Sequence, residues 1–321
     1  MSLRFALAAF LTALSLSSTA HAQPVQAGFE HHVTADGMEV GVWYPASGTP
    51  APQRFGPFAQ DVVAGSAAPK GRHPLIVISH GTGGNFAGHL DTAVALAKAG
   101  FIVAALTHPG DNFRDNSRAT FIEERPKALS AVITYMLSAW PGHAAIDPER
   151  IGAFGFSAGG FTVLAAAGGR PDLTRVAAHC AEHPAFFDCT LLKSKPRTVA
   201  PSWDGLHDAR IKAIVVAAPA LGFAFDRAGL AAISVPVQLW RADDDMILPA
   251  PFYADAVRAA LPIAPEFHAV AGAGHFDFIA PCADAAGPAI PCASKAGFDR
   301  AAFHARLDAD VVRFFRTKLD Y

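Results

Sequence analysis

Gly155-Phe156-Ser157-Ala158-Gly159 lies between two apolar runs of different character. Before it, Arg150-Ile151-Gly152-Ala153-Phe154-Gly155-Phe156 has the composition of a buried strand. After it, Gly160-Phe161-Thr162-Val163-Leu164-Ala165-Ala166-Ala167 is compatible with a helix that stops at Gly168-Gly169. A strand, a Gly-x-Ser-x-Gly turn and a helix in that order form a nucleophile elbow. The turn is so tight that the residues flanking the serine, Gly155 and Gly159, must be small. Its effect is to hold the Ser157 hydroxyl above a sheet, over the N-terminus of the following helix.

A serine hydroxyl is a weak nucleophile at neutral pH and needs a base, which in turn needs an orienting carboxylate. In an elbow fold these follow in the chain order Ser, Asp or Glu, His. Downstream, the run Val235-Pro236-Val237-Gln238-Leu239-Trp240 reads as a buried strand leading into Arg241-Ala242-Asp243-Asp244-Asp245. Asp245 is the favoured acid. Asp243 and Asp244 are alternatives, whose bland reading is a solvated loop charge or a helix cap. Among 14 histidines, His275 stands out. It follows the last expected strand (Glu266–Val270) in the glycine loop Ala271-Gly272-Ala273-Gly274, where small residues permit close approach to the elbow. Two N–H donors are needed for the oxyanion. The Ala158 N–H lies at the helix start, and Thr82 is the favoured second donor, in His80-Gly81-Thr82-Gly83-Gly84 after the strand Pro74–Ser79. Those glycines could equally serve only to make a tight turn.

The rest of the chain reads as strands alternating with helices. Strands are expected at Met38–Tyr44, Phe101–Leu106 and Ile211–Ala217, and helices at His89–Ala99, at about 125–139 and at Asp299–Lys318. The last of these has Phe303, Leu307, Val311, Phe314 and Phe315 on one side. Residues 45–73, rich in Pro, Gly, Ala and Ser, read as a long surface connection. Residues 170–209 lack a period and read as a small cap-like insertion. The expected class is α/β: a mostly parallel sheet with helices on both faces, in one domain over 23–321.

With 321 residues, 51% hydrophobic and a net charge of −2, the chain can bury a large core and carries no basic patch for nucleic acid. Arg4, the apolar run Phe5–Leu16 and the small-x-small site Ala20-His21-Ala22 read as an export signal, residues 1–22, removed near Ala22. No stable membrane span is expected, and the mature protein is placed in the periplasm or outside the cell. Four cysteines allow three pairings. The local pairs Cys180/Cys189 and Cys282/Cys292 are favoured, each closing a short loop, as export would suggest. Three weaker signals have bland readings. His108-Pro109-Gly110-Asp111 reads as a turn rather than pocket lining. Arg125 reads as an ion-pair partner rather than a binder of substrate carboxylate. His179, Glu182 and His183 look like metal ligands, but a Cys180–Cys189 disulfide accounts for that segment without a metal.

Taken together, the elbow, Ser79-His80-Gly81-Thr82-Gly83-Gly84, the Asp245-to-Pro249 acid loop and Gly274-His275-Phe276-Asp277-Phe278 resemble the α/β-hydrolase superfamily. Within it, His108–Asp111, Arg125-Pro126 and the Cys282–Cys292 segment resemble exported bacterial proteins labelled "predicted dienelactone hydrolase". That group is similar to platelet-activating-factor acetylhydrolases and, more distantly, to polyester-degrading cutinases. The resemblance covers most of 38–318. Dienelactone hydrolases carry a cysteine where this elbow carries Ser157, so the label describes the fold. The resemblance implies a cofactor-free, metal-free Ser-His-Asp hydrolase of small-molecule carboxylic esters, with short acyl groups first. An amidase or peptidase with the same triad, and a non-catalytic binding protein on the same fold, are the alternatives.

Overall fold

The computed structural model describes residues 25–196, 203, 205–284 and 289–321. The expected export signal, and residues 197–202 and 204 of the expected insertion, lie outside them. Ten strands form one mixed sheet: β1 (Gln26–Val33), β2 (Glu39–Ala46), β3 (Ala51–Phe55), β4 (Phe58–Ala64), β5 (His73–Ser79), β6 (Ile102–Leu106), β7 (Ile146–Phe156), β8 (Ile211–Ala217), β9 (Val237–Ala242) and β10 (Glu266–Val270). Their order across the sheet is β10-β9-β8-β7-β5-β6-β2-β1-β4-β3. From β10 to β6 every pairing is parallel, while β2 joins β6 antiparallel and the far edge is mostly antiparallel. The parallel strands are buried on both faces, which is why β5, β6 and β8 read as near-continuous apolar runs.

Helix α1 (Leu90–Lys98) and the C-terminal helix Arg300–Lys318 cover one face. Helices α2 (Glu124–Ser138), α3 (Ala158–Ala166) and α6 (Ala254–Ala260) cover the other. The expected apolar side of the C-terminal helix is the buried one, from Phe303 to Phe315. Two short helices, α4 (Arg175–Glu182) and α5 (Phe187–Ser194), occupy the expected insertion and are joined by the Cys180–Cys189 disulfide. Their histidines pack as aromatic rings. His179 stacks on Phe223 at 3.7 Å between centroids, and His183 lies on Phe186 at 4.6 Å.

Residues 45–73 are not the surface connection expected of them. They contain the hairpin β3–β4, turned at Gly56-Pro57, with Gly56 at φ 58°, where a side chain is disfavoured. Phe58, Gln60 and Val62 point inward, so the period of two was present but interrupted by a polar residue. Gln60 is tolerated there because it accepts a hydrogen bond from the Trp43 indole at 2.7 Å. Strand β1 was also hidden by its polar content. Its Glu30 accepts hydrogen bonds from the Tyr44 hydroxyl (3.1 Å) and the Trp140 indole (3.1 Å).

Between α1 and the C-terminal helix, Asp91 lies 2.6 Å from His304, and the Thr92 hydroxyl donates to Asp308 at 2.7 Å. Burial, followed by the nearby Asp91 charge, pushes the Asp308 carboxyl up to about 7. The folded state therefore holds a proton there that the unfolded chain has released, and stability falls as pH rises from about 4 through 7. Asp308→Asn keeps the acceptor for Thr92 and removes the ionisation. It is expected to raise Tm relative to the parent at pH 8 but not at pH 4; equal shifts at both pH values would refute this.

Candidate active site

The C-terminal ends of the parallel strands bring together residues that are far apart in the chain. Strand β7 ends at Phe156, and Ser157 takes φ 56° and ψ −118° before α3 begins. A non-glycine residue is uncommon at such a φ, and the elbow is held by its surroundings. The Ser157 N–H donates to Ala217 O at the end of β8, and its carbonyl accepts from Phe161 and Ala220. The flanking glycines have no room for a side chain. A Cβ at Gly159 would lie 1.9 Å from Ser79 O, and one at Gly155 would lie 2.0 Å from Gly159 O.

His275 Nε2 lies 3.0 Å from Ser157 Oγ, and His275 Nδ1 lies 2.7 Å from Asp245 Oδ2. All three residues are buried. The other Asp245 oxygen accepts from the N–H groups of Ile247 (2.9 Å) and Leu248 (2.7 Å). Burial pushes the Asp245 carboxyl up. The His275 charge and hydrogen bond, with these two N–H groups, outweigh it and hold the carboxyl below the usual carboxylate range. Asp243 and Asp244 are engaged elsewhere, the first with Arg241 at 2.8 Å and the second with Lys295. The Phe156 ring lies 4.8 Å from the His275 ring and helps hold it. Phe161 and Phe278 are buried core residues, whereas Phe276 is half-buried at the rim.

Thr82 and Ala158 line one apolar cavity of about 230 Å³. The Ala158 N–H is at the first position of α3, where no intrahelical acceptor exists, and the helix dipole favours negative charge there. The far wall comes from α4, α5 and their approach: Leu173, Val176, Phe187, Leu191 and Leu192. Asp188 also faces this cavity. Burial raises its carboxyl, and both its oxygens lie 3.0 Å from the Tyr253 hydroxyl.

The loop carrying Thr82 is braced by residues whose full connection was not legible in the sequence. Arg125 is buried and pairs with Asp111 at 2.5 Å; it also donates to Thr162 on α3 and to His80 O. Asp111 accepts in turn from the Gly83 N–H at 3.1 Å. His80 Nε2 accepts from the His108 N–H, so its proton sits on Nδ1, facing Gly81 O. Burial and the Arg125 charge hold His80 well below the ordinary histidine range, in keeping with this neutral tautomer. His108–Asp111 does turn at Gly110 (φ 69°), but His108 and Asp111 are buried rather than surface turn residues. The reading of Arg125 as an ion-pair partner agrees with its contacts. Asp111→Ala would leave the guanidinium buried and uncompensated, and is expected to cost about 3–5 kcal/mol. Urea denaturation measures this, and a loss below about 1 kcal/mol would show that the ion pair does not hold the loop.

Among the described residues, two groups bring metal-ligating atoms together. In the first, His179, Asp188 and Cys189, the sulfur is already in a disulfide. The second, Asp91, His304 and Asp308, is the ion-paired cluster behind α1, away from Ser157. The second disulfide joins Cys282 to Cys292, so both bridges are the local pairs. No described helix is long and apolar enough to cross a membrane.

The prolyl oligopeptidase family model matches residues 88–209, a stretch that runs from α1 through the elbow to the two short helices. No curated protein matches the chain. The matched segment includes Ser157 but stops before Asp245 and His275. The doubly covered, mostly parallel sheet and this match make the chain a serine hydrolase of the α/β-hydrolase type.

Proposed function

We propose that this chain is an exported hydrolase of carboxylic esters with short acyl groups, acting through a Ser157 acyl-enzyme. Support comes above all from the hydrogen-bonded chain Asp245–His275–Ser157, which ends beside an apolar cavity walled by Thr82 and Ala158. Ser157 Oγ attacks the ester carbonyl carbon while His275 Nε2 takes its proton. The oxyanion accepts hydrogen bonds from the Ala158 and Thr82 N–H groups. The carbon–oxygen bond to the alcohol then breaks, and His275 returns the proton to the departing oxygen. Water adds to the acyl-enzyme by the same route, releasing the acid and restoring Ser157. Each step draws only on groups of this chain. Asp245 keeps the imidazole proton on Nδ1 and stabilises the imidazolium.

The cavity favours neutral acyl groups. Among the described residues no Lys, Arg or His lines it, and the one acidic side chain among them, Asp188, offers no counter-ion to a substrate carboxylate. This argues against dienelactones, which are anionic, and in favour of simple esters. The two disulfides support export. A peptidase reading is favoured by the family match. Acyl-matched p-nitrophenyl esters and p-nitroanilides separate the two. Ester hydrolysis with little anilide cleavage is expected, with the optimum at acetate or butyrate. Anilide turnover equal to or faster than ester turnover would replace this proposal with the peptidase reading.

A further inference from the structure

Thr82 also belongs to a second cavity, of about 500 Å³, on the other side of its loop. Phe276 and Ile279, just after His275, form one wall. Phe55 at the β3–β4 turn, Phe113 and Ile290 form others. The two cavities divide the elements between them. No residue of 275–279 lines the first, and no residue of α4 or α5 lines the second. The walls of the second are tied together, because Ala283 N–H donates to Pro57 O at 2.8 Å and Arg54 pairs with Asp284 at 2.5 Å. Phe113 is 58% exposed, yet it is held at the rim by its N–H to Gly84 O (3.2 Å) and by the Arg114 guanidinium 4.7 Å above its ring.

Acyl transfer decides which half of an ester enters which cavity. The departing oxygen must receive its proton from His275 Nε2, so the leaving group lies on the side lined by the residues that follow His275. The acyl group stays bonded to Ser157 beside the start of α3, on the side of the first cavity. We propose, on the basis of the ester reading above, that the second cavity is the leaving-group site and that the substrates join a small apolar acyl group to a bulky, aromatic-bearing alcohol. Size supports this division. The second cavity is within the range of about 300–1,000 Å³ that encloses drug-sized ligands, and the first is below it. The rings of Phe55, Phe113 and Phe276 offer edges and faces to an aromatic group. The lining charges Arg114 and Glu39 are paired with each other at 2.7 Å, which suits a neutral alcohol.

The test compares ethyl acetate with 2-(1-naphthyl)ethyl acetate, whose alcohols have similar leaving-group chemistry, and ethyl acetate with ethyl butyrate. Phe113→Ala is expected to lower the naphthylethyl-to-ethyl ratio of kcat/KM by about tenfold. Phe187→Ala, in the first cavity, is expected to move the butyrate-to-acetate ratio instead. If Phe113→Ala moves the acyl ratio and Phe187→Ala the alcohol ratio, the assignment is reversed; if neither moves its own ratio, it is overturned. Calorimetry with 2-(1-naphthyl)ethanol and the inactive Ser157→Ala protein separates this proposal from the ester reading. Binding that is lost in the Phe113→Ala/Ser157→Ala double variant is expected whether or not esters turn over. Failure of the alcohol to bind overturns the cavity assignment alone, whereas failure of the wild type to hydrolyse any ester overturns the ester reading.

Discussion

Ser157→Ala is expected to lower kcat for p-nitrophenyl acetate by about 10⁶-fold while leaving Tm close to that of the parent. The two halves of this expectation have different physical sources. Loss of Oγ removes the atom that forms the acyl bond, and only the N–H donors and binding remain to help water attack. The elbow itself is held by backbone bonds of Ser157 to Ala217, Phe161 and Ala220, and by the packing of Gly155 and Gly159, all of which survive the substitution. Alanine at φ 56° carries a conformational cost much like that of serine. His275 Nε2 loses its partner, but Nδ1 keeps its bond to Asp245 and holds the ring in place. Turnover within tenfold of the parent would remove Ser157 from the mechanism. A large fall in Tm would instead mean that the hydroxyl holds the elbow together. Labelling by a phosphonate that requires Ser157 and is lost in the variant gives a readout independent of the substrate chosen.

What the sequence revealed and what it concealed follow one physical division. A tight turn leaves a local signature, because close approach restricts residue type. Gly155 and Gly159 could be read as close approaches before any contact was known. The close approach expected at Gly272 and Gly274 is absent: a Cβ there would meet only Phe298 at 3.7 Å and Asp277 at 3.6 Å, and Gly272 is required by its φ of 77° instead. Long parallel strands buried on both faces also announce themselves, as β5 and β8 do. The hairpin β3–β4 did not, because Gln60 occupies an inward position and its justification is the Trp43 indole, which approaches from another strand. Asp111 and Arg125 each looked like a local feature. Their meaning lies in a contact across 14 residues that also reaches Gly83 and His80. The second cavity is built from the β3–β4 turn, the 82–88 loop, the 113–114 loop, the segment after His275 and Ile290-Pro291. No pattern in any one of them records that they meet. The part of the site made by short-range geometry was therefore legible, and the part that would select a substrate was not.

Asp245→Asn is expected to lower kcat by about 10⁴-fold, even though the two side chains have nearly the same shape. The reason lies in which end of the new amide faces the histidine. In the parent, Oδ1 accepts from two backbone N–H groups, at Ile247 and Leu248, and Oδ2 faces His275 Nδ1. An asparagine satisfies both N–H donors only with its oxygen in the first position, which places its NH₂ against Nδ1. Nδ1 must then accept, so the imidazole proton moves to Nε2. That nitrogen faces Ser157 Oγ at 3.0 Å and can no longer take the hydroxyl proton. The variant should bind substrate with a KM near that of the parent, since Asp245 lines neither cavity, and the loss should fall on kcat. The parent's carboxyl has a second, pH-dependent effect. Its folded-state pKa is below the ordinary 3.8, so pairing stabilises the fold above that pH and the contribution is lost as pH falls through the folded value. The Tm advantage of the parent over Asp245→Asn should therefore be present at pH 7 and shrink below pH 3.8. If the asparagine variant kept kcat within tenfold of the parent, His275 would not depend on Asp245 for its tautomer, and the Asp245 role proposed here would be wrong. If kcat fell but KM rose in step, the substitution would have disturbed the pocket rather than the proton transfer.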